Sequence, residues 1–190
     1  MNWKTPTPVV DGKFVKAQFF NQSLVTNMSE TYHRLAYRSA DLAKVNDAVL
    51  TVDPQLFFVV NADEMWYFEA HCRFFSAVNG GPNIQIRWSY PIPGEMNGYG
   101  DGLATDSITW QQNMTISDTG LGDQENYYAT TVAKTIVTRQ LLFARTAGTV
   151  GLMWAQGASG ASHTTMMKGS NIQGCKLGPI PPGATTPFIT

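Results

Sequence analysis

The chain has 190 residues, 43% hydrophobic and 12% aromatic, with a formal net charge of −1. That length suits one domain with a short appendage, and the near-zero charge offers no basic excess to neutralise phosphates, so no nucleic acid partner is expected. Only 14% of residues are charged, against about a quarter in ordinary soluble domains, so the surface must be built from Asn, Gln, Ser, Thr and Gly, as suits all-β proteins and particle components.

Residues 1–16 contain Trp3, Pro6, Pro8 and Phe14 in no helical period and read as an extended arm. The start MNWKTPTPVV lacks the charged and apolar regions of a signal peptide, which points to synthesis in a cytoplasm. From Ala17 the pattern changes. Phe20, Leu24, Met28, Tyr32 and Leu35 recur at helical spacing, and Glu30 can pair with Arg34, so a helix is predicted from about residue 17 to 37. Such a stripe can pack on its own core or dock on a partner.

After Asp53-Pro54 the period switches to two. Trp66, Phe68, Ala70, Cys72 and Phe74 share one face of a strand, with Glu69 and His71 on the other. NIQIRWSY alternates again, with Ile84, Ile86, Trp88 and Tyr90 inward, and the intervening NGGP predicts a hairpin. The Gly- and Pro-rich stretch 91–104 reads as a long loop. SITWQQNMTI, TVAKTIVTRQLLFA and TVGLMWAQ read as strands, and HTTMMKGSNIQGCKL supplies one or two more. GASGAS after Gln156 has neither phosphate-loop spacing nor a following helix, so it reads as a hairpin turn. GPIPPGATTPFIT closes as a Pro-rich extended tail. No apolar run approaches the roughly 18 residues needed to cross a bilayer, so no membrane insertion is expected.

Catalytic chemistry finds little to work with. Glu69 and His71 could chelate a metal, but no third ligand stands near them in sequence. Cys72 faces the apolar side, where a thiol is inert, and Cys72 and Cys175 read as reduced thiols. Asp101, Asp106, Asp118 and Asp123 gather in polar stretches without calcium-loop spacing. No cofactor, metal or catalytic residue is expected. Tyr99, Trp110, Tyr127 and Tyr128 sit in or beside predicted loops, where they could stack on sugar rings or on another subunit.

GKFVKAQFFNQSLVTNMSETYHRL, with Gly12, Val15, Ala17, Asn21, Val25, Asn27 and Met28, resembles the N-terminal segment of many small bacteriophage virion proteins. The later Gly148-Thr149-Val150, Leu152, Trp154-Ala155-Gln156 and Gly169-Ser170, Ile172 resemble the closing strands of the β-sandwich in such proteins, and 53–75 with IRWSYPIPGEM resembles their central hairpin. The long Gly/Asp stretch and the Pro-rich tail depart from that pattern. The resemblance implies a mainly β protein: an antiparallel, jelly-roll-like sandwich over 41–178, preceded by an arm and one helix over 1–40 and followed by a tail over 179–190. It implies a phage tail, fibre or capsid-decoration component, located on the virion, docking through Trp3, Phe14, Phe20, Leu24 and Met28 onto capsid or tail proteins, and associating as a homotrimer. The alternatives are a carbohydrate-binding module that recognises host surface glycan and a hydrolase of cell-wall glycan.

Overall fold

The computed structural model describes residues 33–79, 81–103, 110–117, 120–121 and 124–184. Trp3, Phe14, Phe20, Leu24 and Met28 lie outside these residues, as does the predicted helix except for its last five positions. The described residues form twelve strands. They are β1 (His33–Tyr37), β2 (Leu42–Lys44), β3 (Thr51–Val60), β4 (Glu64–Ser76), β5 (Ile84–Ser89) and β6 (Gly94–Leu103). Then follow β7 (Trp110–Ser117), β8 (Glu125–Tyr127), β9 (Lys134–Ala144), β10 (Gly148–Gln156), β11 (Thr164–Met166) and β12 (Asn171–Pro179).

Two antiparallel sheets face each other, as expected for a sandwich. The larger runs β1-β12-β4-β9-β6-β7, with β11 pairing β4 and β2, and the smaller runs β3-β10-β5-β8. Period two places the core as the sequence indicates. Trp66, Phe68, Ala70, Cys72 and Phe74 of β4 are buried, and so are Ile84, Ile86 and Trp88 of β5 and Val150, Leu152 and Trp154 of β10. Phe68 stands at the centre, with ring centroids 5.8 Å from Phe58, 5.7 Å from Trp66 and 5.8 Å from Trp88. It thereby joins β4 to both β3 and β5 across the sandwich, and burying each such ring contributes on the order of 1.5–3 kcal/mol.

Five expectations are corrected. Residues 33–37 are strand, not the end of a helix: β1 pairs with β12, His33 opposite Cys175 and Tyr37 opposite Asn171. The sheet ladder satisfies this backbone, and Leu35, the last member of the helical stripe, is exposed. The strands 64–76 and 84–89 are no hairpin, because β4 pairs with β9, β12 and β11 while β5 pairs with β10 and β8. The connection crosses between sheets, and both strands show their apolar side to one shared core, so the alternation is the same as in a hairpin.

Residues 94–103 are a strand, β6, rather than a loop, paired with β7 and β9. Its glycines answer to crowding. A Cβ at Gly98 would overlap the Arg139 carbonyl and the Gln140 side chain, and one at Gly100 would overlap the Glu125 carboxylate and the Tyr127 hydroxyl. The turn after Gln156 also changes sheets, since β11 pairs with β2 and β4 and not with β10. Finally, Gly178 and Pro179 of the expected tail belong to β12, beyond a register shift between Lys176 and Gly178. Pro179 is the last residue of β12, opposite Glu64, a strand end where a proline is tolerated.

One buried carboxylate fixes the flank where β1 and β3 meet. Asp53 Oδ2 accepts from Arg38 and from Trp154 Nε1 at 3.0 Å, and Oδ1 accepts from the backbone N–H groups of Gln55 at 2.9 Å and Leu56 at 3.1 Å. Removing one partner of a buried pair strands the other charge, so Asp53→Ala should cost about 3–5 kcal/mol. Urea denaturation checks this, and a loss below roughly 1 kcal/mol would show the pair to be dispensable. Cys72 is buried and free, Cys175 is half-buried and free, and burial pushes the thiol of each upward. A thiol reagent should therefore label the native protein at Cys175 first, and Cys72 only on unfolding.

Candidate interaction surface

Of the four aromatic residues expected at a contact surface, the side chains of Tyr127 and Tyr128 are described. Tyr127 is a core residue, fully buried, opposite Ile84 on β8, with its hydroxyl donating to the Glu125 carboxylate. Its neighbours in sequence look loop-like, but period two places Glu125 and Tyr127 inward. Tyr128, one residue on, is half-buried. Tyr99 lies in β6 opposite Arg139 and Met114, and Trp110 begins β7 opposite Leu103.

The outer face of the larger sheet is charged and paired with itself. Glu69 accepts from His71 Nε2 at 2.7 Å and from Arg139 Nε at 2.8 Å. Arg139 comes from β9, directly opposite Glu69 in the register, a partner that spacing within β4 could not reveal. Burial raises the Glu69 carboxyl, but these hydrogen bonds outweigh it and hold the group below its ordinary value. Among the described residues no three or more His, Cys, Asp or Glu side chains gather as a metal site.

At the end of β4, Glu64 is held in the same way. Burial raises it, while hydrogen bonds from Lys176, Asn61 and Trp66 carry it down to about 2. Because the folded carboxyl is depressed, its stabilisation is present above the ordinary value of 4.5 and is lost as pH falls toward 2. Stability measured by urea denaturation should therefore drop by roughly 2–3 kcal/mol across that window from this group. Glu64→Gln should flatten the slope, and an unchanged slope would exclude the group as its source.

The outer face of the smaller sheet is of another kind. Leu56, Phe58 and Val60 of β3 point into the core, yet Val52 is 44% exposed, Phe57 43% and Val59 58%. Their arrangement depends on the bulge at Asp53. Val52 opposes Met153 and Phe57 opposes Gly151, with a register shift between, so two residues five apart share one face. Glycine at 151 lets them close over β10, since a Cβ there would lie 3.0 Å from Val52 Cγ1 and 3.2 Å from the Phe57 Cβ. Leu35 and Tyr37 of β1, exposed at 60% and 59%, carry apolar surface around the flank.

Arg87 is the single charged side chain pointing outward from β3, β10, β5 and β8. It stands opposite Met153, in one row with Val52. Among the described residues its Nε is buried without an acceptor. The sequence did carry one trace of this face. Leu56 to Val60 is an unbroken apolar run, the pattern of a strand covered on both sides.

No protein-family model and no curated protein sequence matches this chain. Among solved structures, it is similar to the infectious bursal disease virus VP2 subviral particle at 11% identity, covering 78% of this chain and 41% of that one, with a TM-score of 0.24. The structure of the Gx strain of that virus matches at 11% identity, 76% and 38% coverage and a TM-score of 0.19. The chain thus spans less than half the length of either. A likeness at these TM-scores does not establish a common fold.

Proposed function

We propose that this chain is a non-enzymatic structural protein of a bacteriophage virion, a tail, fibre or capsid-decoration component. In this reading it sits on the particle with the outer face of the smaller sheet and the residues before β1 turned toward its neighbours. The larger sheet faces solvent.

The observation that carries this reading is the contrast between the two outer faces. One presents a Glu69–His71–Arg139 cluster suited to water, while the other presents Val52, Phe57 and Val59 beside a single cation. Apolar patches on a sheet face mark contacts between proteins. Among the described residues β1 and β3 are edge strands, which supports the same role, because association, for which a trimer is the natural candidate, would cover them. The sequence resemblance to phage virion proteins supplies the particle. Burial of Tyr127 takes one aromatic away from the glycan-binding alternative.

Phe57→Asp with Val59→Asp tests the reading. Both side chains are exposed, so stability should change by about 0.5 kcal/mol or less per site, while incorporation into particles, scored by immunogold labelling, should be lost. Normal incorporation of the folded double variant would remove this face from the contact. Truncation tests should stop at residue 32, because β1 begins at His33.

A further inference from the structure

We propose that Lys176 and Asn61 become joined by an isopeptide bond, formed by the folded chain itself with Glu64 carrying the protons. This goes beyond the virion reading and holds whether or not the chain belongs to a particle.

Side chains from β12 and from the turn between β3 and β4 meet on one oxygen. Glu64 Oε1 accepts from the Lys176 ammonium and from Asn61 Nδ2, the latter at 3.0 Å. Glu64 Oε2 accepts from the Asn61 backbone N–H at 3.0 Å and from Trp66 Nε1 at 2.9 Å, which fixes the carboxylate. An ion pair needs only the amine and the carboxylate. Here the same oxygen also holds a primary amide, so a nucleophile, an electrophile and a proton carrier stand together. The backbone keeps them there. Lys176 lies opposite Trp66 and Pro179 opposite Glu64 in the register, and the Ile180 N–H donates to the Asp63 carbonyl at 3.0 Å. The turn that carries Asn61 is thus strapped to the segment that follows Lys176. Held proximity of this kind substitutes for an activated acyl group.

The step needs no co-reactant. Glu64 takes a proton from the Lys176 ammonium, and the freed amine adds to Asn61 Cγ. Glu64 returns that proton to Nδ2 as the Cγ–Nδ2 bond breaks. The surplus proton on Nζ goes with the departing ammonia, which leaves as ammonium. The product is an amide between Nζ and Cγ, and nothing is oxidised or reduced. The hydrogen bonds that hold the Glu64 carboxyl at about 2 let a proton rest on it only briefly, so the bond forms slowly, after folding. Other charges bear on the ammonium. The Arg34 guanidinium, 5.2 Å from the Trp66 ring centroid, places a second cation on that indole and favours loss of the proton, while Asp63 in the turn opposes it. On β9 Ala144 faces Glu64, and Arg145 beyond it is engaged by Glu95.

Intact mass of the full-length protein, aged at mildly alkaline pH to enrich the free amine, reads the bond directly. The aged parent should be lighter than its sequence by one ammonia, and digestion should release a branched peptide joining the residues around Asn61 to those around Lys176. Lys176→Arg keeps a cation for Glu64 but cannot form the amide, and it should retain the full mass, as should Asn61→Ala. Glu64→Gln, shown by circular dichroism to be folded, should retain it too. The aged parent should also melt roughly 10 °C above Lys176→Arg, because the link closes a long loop. The full sequence mass in the aged parent would overturn the proposal. Ammonia loss that maps to an unbranched peptide, the signature of ring closure at Asn79-Gly80 or Asn97-Gly98, would overturn it equally. A branched peptide from Glu64→Gln would remove Glu64 as the proton carrier. Particle incorporation is not a readout here, so failure of this bond and failure of the virion reading are separable.

Discussion

The Asp53 carboxylate organises the side of the sandwich on which this protein's character depends. It gathers Arg38, Trp154 and the backbone N–H groups of Gln55 and Leu56, and so stabilises the bulge that interrupts β3. That bulge resets the side-chain period. Without it, Val52 and Phe57, five residues apart, would point to opposite faces; with it, both flank Gly151 on the outside while Leu56 and Phe58 stay in the core. A buried polar contact thus determines what the surface displays a few ångströms away.

The two outer faces then divide the labour of the domain. On the larger sheet, Glu69, His71 and Arg139 satisfy one another across β4 and β9, a face that is stable in water as it stands. On the smaller sheet, apolar side chains lie beside an arginine whose Nε has no acceptor among the described residues. The low charge content of the chain acquires a local meaning here, since the outward positions of four strands hold one charged residue.

Much of the fold was legible because burial follows period two. The inward residues of β4, β5 and β10 and the buried Cys72 follow from alternation, and the strand character of 134–144 from its β-branched residues. What alternation leaves open is the partner of each strand. The β4–β5 connection and the turn after Gln156 both change sheets, and inward faces look the same either way. The glycines of β6 were opaque for a related reason: Gly98 and Gly100 make room for Gln140, Glu125 and Tyr127, groups that come from β9 and β8. Of the surface, the apolar run Leu56–Val60 was visible in the sequence, but the isolation of Arg87 was not, because it depends on which side chains the other three strands turn outward.

The central claim is that the outer face of the smaller sheet is covered when the protein is in its working state. Hydroxyl-radical footprinting of the protein incorporated in particles, with residue-level mass spectrometry, tests it most directly, since both faces carry reactive side chains. Phe57 and Met153 should be modified several-fold more slowly than Tyr67 and His71 on the opposite face. Modification of Phe57 and Met153 at the rate their exposed positions alone would give, equal to or faster than Tyr67 and His71, would contradict it.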